Sequence, residues 1–198
     1  MEPIILASGS PRRCELLKMA GIPFEVFPAD VDETCDLPAP ETVVELSRRK
    51  ARASAQSHPG RWILAADTLV SIRGETLGKP HGEDDAVRML RRLRANVHQV
   101  YTGVTVISPA GDELTGSECT DVTFEAMTER EIRAYVSTGE PMDKAGAYAI
   151  QGRAAMWITG IRGCYTSVIG LPLPLTRRLL EQAGYSVFAW TEAKETGK

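Results

Sequence analysis

The chain has 198 residues, 43% of them hydrophobic and 25% charged, enough to bury a sizeable core and too apolar for long disordered stretches. Its formal net charge of -3 argues against polymeric nucleic acid as a partner, because sequence-independent binding needs a broad basic face. No apolar run approaches the roughly 18 residues of a spanning helix, no charged and apolar leader opens the chain, and four scattered cysteines form no CxxC pair, so a reduced cytoplasmic protein with no membrane partner, structural zinc or disulfide framework is expected.

The opening, Ile4-Ile5-Leu6-Ala7-Ser8-Gly9-Ser10-Pro11-Arg12-Arg13, reads as a short buried strand, a tight loop and a helix start. Ser10 suits the N-cap and Pro11 the first turn, and Leu16, Leu17 and Ala20 share a face before Gly21 stops the helix. Helix N-termini attract anions, yet two arginines sit in this first turn, where acidic residues are usual. An external anion, phosphate above all, resolves that conflict; a solvated arginine pair is the plainer alternative. Phe24–Phe27 alternates like a strand, and Pro28–Thr34 is an acidic loop carrying Glu33. A helix is expected from about Glu41 to Ser57, with Arg48, Arg49, Lys50 and Arg52 in its later turns, a placement that suits a helix C-terminus.

Trp62–Ala66 is a continuous apolar run of the kind that fills a central strand, and Asp67-Thr68 is expected at its tip. Leu69–Ile72, Arg73-Gly74 and Glu75–Leu77 read as a hairpin closed by Gly78-Lys79-Pro80. A helix over Glu83–Arg94 has an apolar stripe at Ala86, Met89, Leu90 and Leu93. Strands are expected over Val100–Ile107 and Glu113–Phe124, and Thr128–Glu131 is a capping box opening a helix to about Val136. The segment Asp143–Gly152 has no clean period and reads as a binding loop. Met156–Ile161 returns to strand, Gly170-Leu171-Pro172 leads into a helix ending near Ala183, and Ser186–Trp190 reads as a last strand before a frayed tail over 191–198.

These elements imply an α/β fold: a mixed sheet flanked by helices, with two lobes and a central cleft in one domain over residues 1–190. The chemistry-bearing residues suit phosphoanhydride hydrolysis, which needs cations for phosphates, carboxylates for a hard metal and a base for water. Ser8, Arg12, Arg13, Lys50, Lys79 and Lys144 are candidate phosphate holders, and Glu33 and Asp67 candidate ligands of a divalent cation. Asp67 is the candidate base or, equally, a turn residue; Glu33 is also readable as a solvated loop acid, Lys79 as a turn lysine and Lys144 as the partner of Asp143. No GxxxxGK[ST], no GxGxxG after a strand and no GxSxG elbow occurs, and the three histidines assemble no triad. His81 and His98 are taken as surface or core residues, Met19 and Met89 as core filler.

Leu6–Arg13, Ala66-Asp67-Thr68, Gly78-Lys79-Pro80, Asp143–Tyr148, Ile150-Gln151-Gly152 and Val168–Pro172 together resemble the Maf family of nucleoside triphosphate pyrophosphatases, from about Ile4 to Leu180. The resemblance implies a fold like that of inosine triphosphate pyrophosphatases, cleavage between the α and β phosphates, and Mg²⁺ or Mn²⁺ as cofactor. On it, Asp67 is the proton acceptor, and Ser8, Arg12, Arg13, Glu33, Lys50, Lys79 and Lys144 surround phosphate and metal. Arg12, Thr68 and Gln151 resemble the branch acting on dTTP and UTP, where the 7-methyl-GTP branch has Trp, Gln and Glu. A neutral pyrimidine edge suits the Gln151 amide, which both donates and accepts. The resemblance alone implies a homodimer. It leaves two alternatives: the same chemistry on methylated or deaminated purine triphosphates, and a non-enzymatic regulator of septum formation.

Overall fold

The computed structural model describes residues 2–187; residues 188–190 of the expected last strand and the expected tail at 191–198 lie outside them. The chain runs β1 (Ile4–Leu6), α1 (Pro11–Met19), β2 (Phe24–Val26), α2 (Ala39–Ser57), β3 (Ile63–Ile72), β4 (Glu75–Leu77) and α3 (Glu83–Leu93). It continues through β5 (Val97–Ile107), β6 (Glu113–Phe124), α4 (Glu129–Val136), three short 3₁₀ turns, β7 (Ile158–Arg162), α5 (Tyr165–Ile169) and α6 (Leu173–Gln182). The seven strands form one mixed sheet in the order β2-β1-β3-β5-β6-β7, with β4 paired to β3 off that path. β2, β1 and β3 are parallel, and the remaining pairings are antiparallel.

Alternation along the strands divides the core between two sheet faces. Ile5, Ala7, Ile63, Ala65 and Ile107 pack with Ala51 of α2 on one face. Ile4, Leu6, Leu64, Ala66, Val70, Val100, Val104 and Val122 join Leu17 of α1, Leu90 of α3, Ile132 of α4 and Leu180 of α6 on the other. On the α2 face the helix comes closest to the sheet at Gly103. A Cβ placed on Gly103 would stand 2.2 Å from the Val43 carbonyl oxygen, so only glycine admits the helix there. Gly103 is the register partner of Asp67, and the contact therefore sets the height of α2 directly above that carboxylate.

One edge of β3 is clasped twice. β1 pairs with it at Ile63 and Leu64, and β4 pairs with it at Val70–Ile72. Between these, Ala66–Leu69 have no strand partner on that edge among the described residues. The break exists because β1 turns away after Leu6 into the Ser8–Ser10 loop, while β4 is brought back by the two-residue turn Arg73-Gly74. The sheet is thus continuous from β2 to β7, and the gap between β1 and β4 is a notch in the edge of β3.

Several local expectations change. Asp67 and Thr68 do not end a strand; β3 runs ten residues through them, because β5 pairs with it continuously from Ile63 to Ser71. Met19 is 68% exposed rather than core filler, since it falls outside the face carrying Leu16 and Leu17. Ser10 occupies the N-cap of α1 but makes no capping hydrogen bond with its side chain. β5 begins three residues early, at Val97, because His98 is fully buried and extends the inward pattern. β7 starts at Ile158, two residues late, and the short helix α5 was not anticipated. The Thr128 capping box forms as expected, with Thr128 and Glu131 satisfying each other's backbone N–H groups.

Candidate active site

The notch opens a cleft of about 820 Å³ lined by Ser8, Arg12, Arg13, Glu33, Lys50, Asp67, Thr68, Lys79, Lys144 and Gln151. Every site residue named from the sequence therefore faces one space, although the positions span 144 residues of chain from Ser8 to Gln151. The cluster on its α2 side is tight. Lys50 reaches down from α2, and its Nζ donates to Asp67 Oδ1 at 2.6 Å and lies 2.7 Å from Glu33 Oε1. The Lys50 and Asp67 side chains are only 12% and 11% exposed, whereas Glu33 is 62% exposed, so one carboxylate is sheltered and the other open to solvent. The hydrogen bond from Lys50 holds the Glu33 carboxyl below its ordinary range against a partial desolvation cost. Ser47, one turn earlier, shares a 2.8 Å hydrogen bond with Thr105 of β5 and anchors this stretch of α2 to the sheet.

Arg13 forms the opposite rim. Its Nε donates to the Gly170 carbonyl at 2.8 Å, its Nη1 to Ser8 Oγ at 2.8 Å and its Nη2 to Thr68 Oγ1 at 3.2 Å. Burial depresses its pKa, with Asp67 pulling the other way. A guanidinium has five N–H donors, so this clamp fixes its plane and leaves two for a ligand. Thr68 is held in turn by Thr102, at 3.0 Å. The N-terminus of α1 opens onto the same space, bringing backbone N–H groups and partial positive charge.

The remaining wall is irregular chain. Gly146 accommodates a φ of +71° and packs against Val70 so closely that a Cβ would stand 2.9 Å from that side chain. Its N–H donates to the Gly78 carbonyl at 3.0 Å, which ties the turn carrying Lys79 to the loop carrying Lys144. Lys144 Nζ donates to the Glu140 carbonyl at 2.7 Å and pairs with Asp143, and Arg12 meets Asp143 at 3.2 Å. Burial would raise the Asp143 carboxyl, but Lys144 and Arg12 together hold it below its ordinary value. Gln151 is exposed and lines the cleft. Tyr148 is anchored behind it, its hydroxyl 2.8 Å from His98 Nε2. Burial pushes His98 down to about 4, with Asp121 opposing it.

Sequence reasoning passed over the Gly170 carbonyl as a partner of Arg13, Asp143 as a partner of Arg12, and the His98–Tyr148 pair. Gly170 and Asp143 stand in the quoted motifs, but a carbonyl and a salt bridge across 131 residues leave no periodic signal. His98 gave only the faint sign of a histidine preceding an alternating strand.

The family described as Maf-like protein matches residues 3–183. This chain belongs to the Maf-like protein family. It is 50% identical over 191 residues to a dTTP/UTP pyrophosphatase of Symbiobacterium thermophilum, covering 95% of this chain and 97% of that one. It is 48% identical over 190 residues to a dTTP/UTP pyrophosphatase of Pelotomaculum thermopropionicum, covering 94% and 100%. Among solved structures, this Maf-like chain is similar to the Staphylococcus aureus Ham1 protein at 16% identity and a TM-score of 0.47, over 62% of this chain and 72% of that one.

Among the described residues, no group of three His, Cys, Asp or Glu side chains is arranged to hold a metal in this Maf-like chain. Two carboxylates, Glu33 and Asp67, do converge on the Lys50 ammonium. That donor set fits a hard divalent cation that keeps most of its octahedral shell for water and phosphate oxygens, and it does not fit an all-protein cage. No helix among the described residues is long and apolar enough to cross a membrane.

Proposed function

We propose that this chain is a cytoplasmic hydrolase of dTTP and UTP that cleaves the α–β phosphoanhydride to give the nucleoside monophosphate and pyrophosphate. The observation that carries the chemistry is the sheltered Lys50–Asp67 contact at 2.6 Å, facing a cleft rimmed by Arg12, Arg13, Lys79 and Lys144. The choice of substrate follows the names of the relatives, which match this chain almost end to end.

The roles follow from the geometry. Arg13, already planar and fixed by Ser8, Thr68 and Gly170, presents its remaining N–H groups to phosphate oxygens without further ordering cost. The α1 N-terminus, Arg12, Lys79 and Lys144 add positive charge around the same anion. Asp67 orients a water molecule and accepts its proton as the oxygen attacks phosphorus, and the bond to the bridging oxygen breaks with pyrophosphate leaving. Lys50 donates to Asp67 Oδ1 and holds that carboxylate in its orientation. Glu33 and Asp67 would hold Mg²⁺ or Mn²⁺, which when bound neutralises charge on the phosphates. Gln151 takes the base edge, matching a donor and an acceptor without burying a charge.

Incubation with UTP tests the reading. UMP and pyrophosphate in equal amounts are expected, with loss of turnover on adding chelator and recovery on adding excess Mg²⁺. Release of UDP and orthophosphate would place the cut at the wrong bond, and turnover untouched by chelator would remove the cation from the scheme.

A further inference from the structure

Two side chains that do not line the cleft control the segment carrying Gln151. Tyr135, on α4, is buried, and its hydroxyl donates to Glu140 Oε1 at 2.8 Å while accepting the Ala149 N–H at 3.2 Å. The Glu140 carboxylate in turn accepts the Arg153 N–H, with Oε1 at 3.0 Å and Oε2 at 3.2 Å. Gly152 lies flat against that carboxylate: a Cβ there would stand 2.1 Å from Oε1. The two backbone amides flanking Gln151 at a distance of two residues are therefore both tied to one hydroxyl–carboxylate pair. A third bond, from the Gly152 N–H to the Ala149 carbonyl at 3.1 Å, closes the turn across Gln151. The post beneath this arrangement is stiff, because α4 is capped at its start and buries Ile132, Tyr135 and Val136.

We propose that Tyr135 and Glu140 are positioning residues for base selection, fixing the 149–153 turn so that the Gln151 amide meets the pyrimidine edge in one register. The proposal rests on the pyrimidine reading given above. Burial, reinforced by Glu140, raises the Tyr135 pKa, so the phenol stays protonated and keeps donating to the carboxylate. A hydrogen-bonded base edge is read by distance and angle, and a site with paired polar groups rejects the mismatched edge because its groups are left unpaired. A turn freed from its clamp adapts to either edge, and selectivity falls. The chemistry at Asp67 and Lys50 sits on β3 and α2, and the hydrogen bonds of the Tyr135 and Glu140 side chains stay within residues 135–153, so the chemical step should be spared.

The experiment compares dissociation constants for UMP and CMP by calorimetry, together with kcat and KM for UTP. The proteins are wild type, Tyr135→Phe, Glu140→Ala, Glu140→Gln and Val136→Ala. Cytosine presents the reversed donor–acceptor pattern, so wild type is expected to prefer UMP. Tyr135→Phe and Glu140→Ala are expected to lower that preference about tenfold and to raise KM, with kcat within about twofold of wild type. Glu140→Gln retains an acceptor oxygen and should recover most of the preference. Val136→Ala loosens the same helix without breaking the clamp and should leave the preference unchanged. A wild type that prefers UMP, with the same preference in Tyr135→Phe and Glu140→Ala, overturns the clamp alone. Equal loss in Val136→Ala also overturns it, reducing the effect to helix stability. A wild type indifferent to UMP and CMP overturns the reading beneath it, that the site selects the uracil and thymine edge.

Discussion

The two walls of the cleft are built by different physics. On one, Lys50 and Asp67 stand on a helix and a strand whose spacing is set by a nine-residue strand pairing and a helix resting on glycine. On the other, Lys144 and Gln151 stand on 3₁₀ turns and irregular chain, held by a handful of backbone hydrogen bonds and three buried or half-buried polar side chains. A regular element fixes an atom through many cooperative contacts, so it suits a proton transfer that tolerates little displacement. A loop fixes an atom through few contacts, each replaceable, so it suits a choice between substrates. On the proposed function, the division puts reaction on the sheet wall and selection on the loop wall.

Substitution can break this division at four points. Asp67→Asn should lower turnover of UTP by about 10²- to 10⁴-fold while leaving nucleotide affinity within a few-fold, as read from pyrophosphate release and calorimetry. Retained turnover would take the proton acceptor off the sheet wall. Gly103→Ala pushes a methyl group into the Val43 carbonyl and should cost about 3 kcal/mol in urea unfolding, with turnover falling because Lys50 lifts away from Asp67. A stable, fully active variant would mean that helix height does not set the site.

The third point concerns acid. The unfolded chain takes up a proton at His98 near pH 6.5, whereas the folded chain refuses it until about pH 4. Stability should therefore fall as pH drops through that window, by about 2 kcal/mol between pH 7 and 5 for this side chain. His98→Phe should flatten that slope in urea titrations at the two pH values; an unchanged slope would assign the acid sensitivity elsewhere. The smallest effect is expected from Gln151→Glu, which should erode the preference for UTP over CTP about tenfold and shift stability by less than about 0.5 kcal/mol. A large loss of stability there would show that the loop wall carries structural weight as well as choice.

How far the sequence disclosed these walls follows the same division. β3, β5, β6, α2 and α4 were legible because burial on a sheet face or helix stripe repeats at a fixed interval, and the Thr128–Glu131 cap is a local pattern of four residues. Asp67 was named as a candidate site residue but misplaced at a strand end, because a carboxylate inside an apolar run looks like a terminus until the partner strand is seen. Lys50 looked like one of several helix cations. Only its ion pairs with Glu33 and Asp67 separate it from Arg48 and Arg52, which instead pair with Glu113. Tyr135 and Glu140 gave no signal at all, since a tyrosine on an apolar helix stripe and an acid before a proline are ordinary, and their meaning lies in which distant amides they hold.

The brevity of β1 has a consequence of its own. Ala66–Leu69 offer backbone hydrogen-bonding groups along an unpaired edge only because the first strand stops at Leu6. Continued in the same register, three more residues of extended chain would bring Gly9 opposite Asp67 and close that part of the edge. On the proposed function, the length of a three-residue strand bears on the site as directly as the side chains that face the gap.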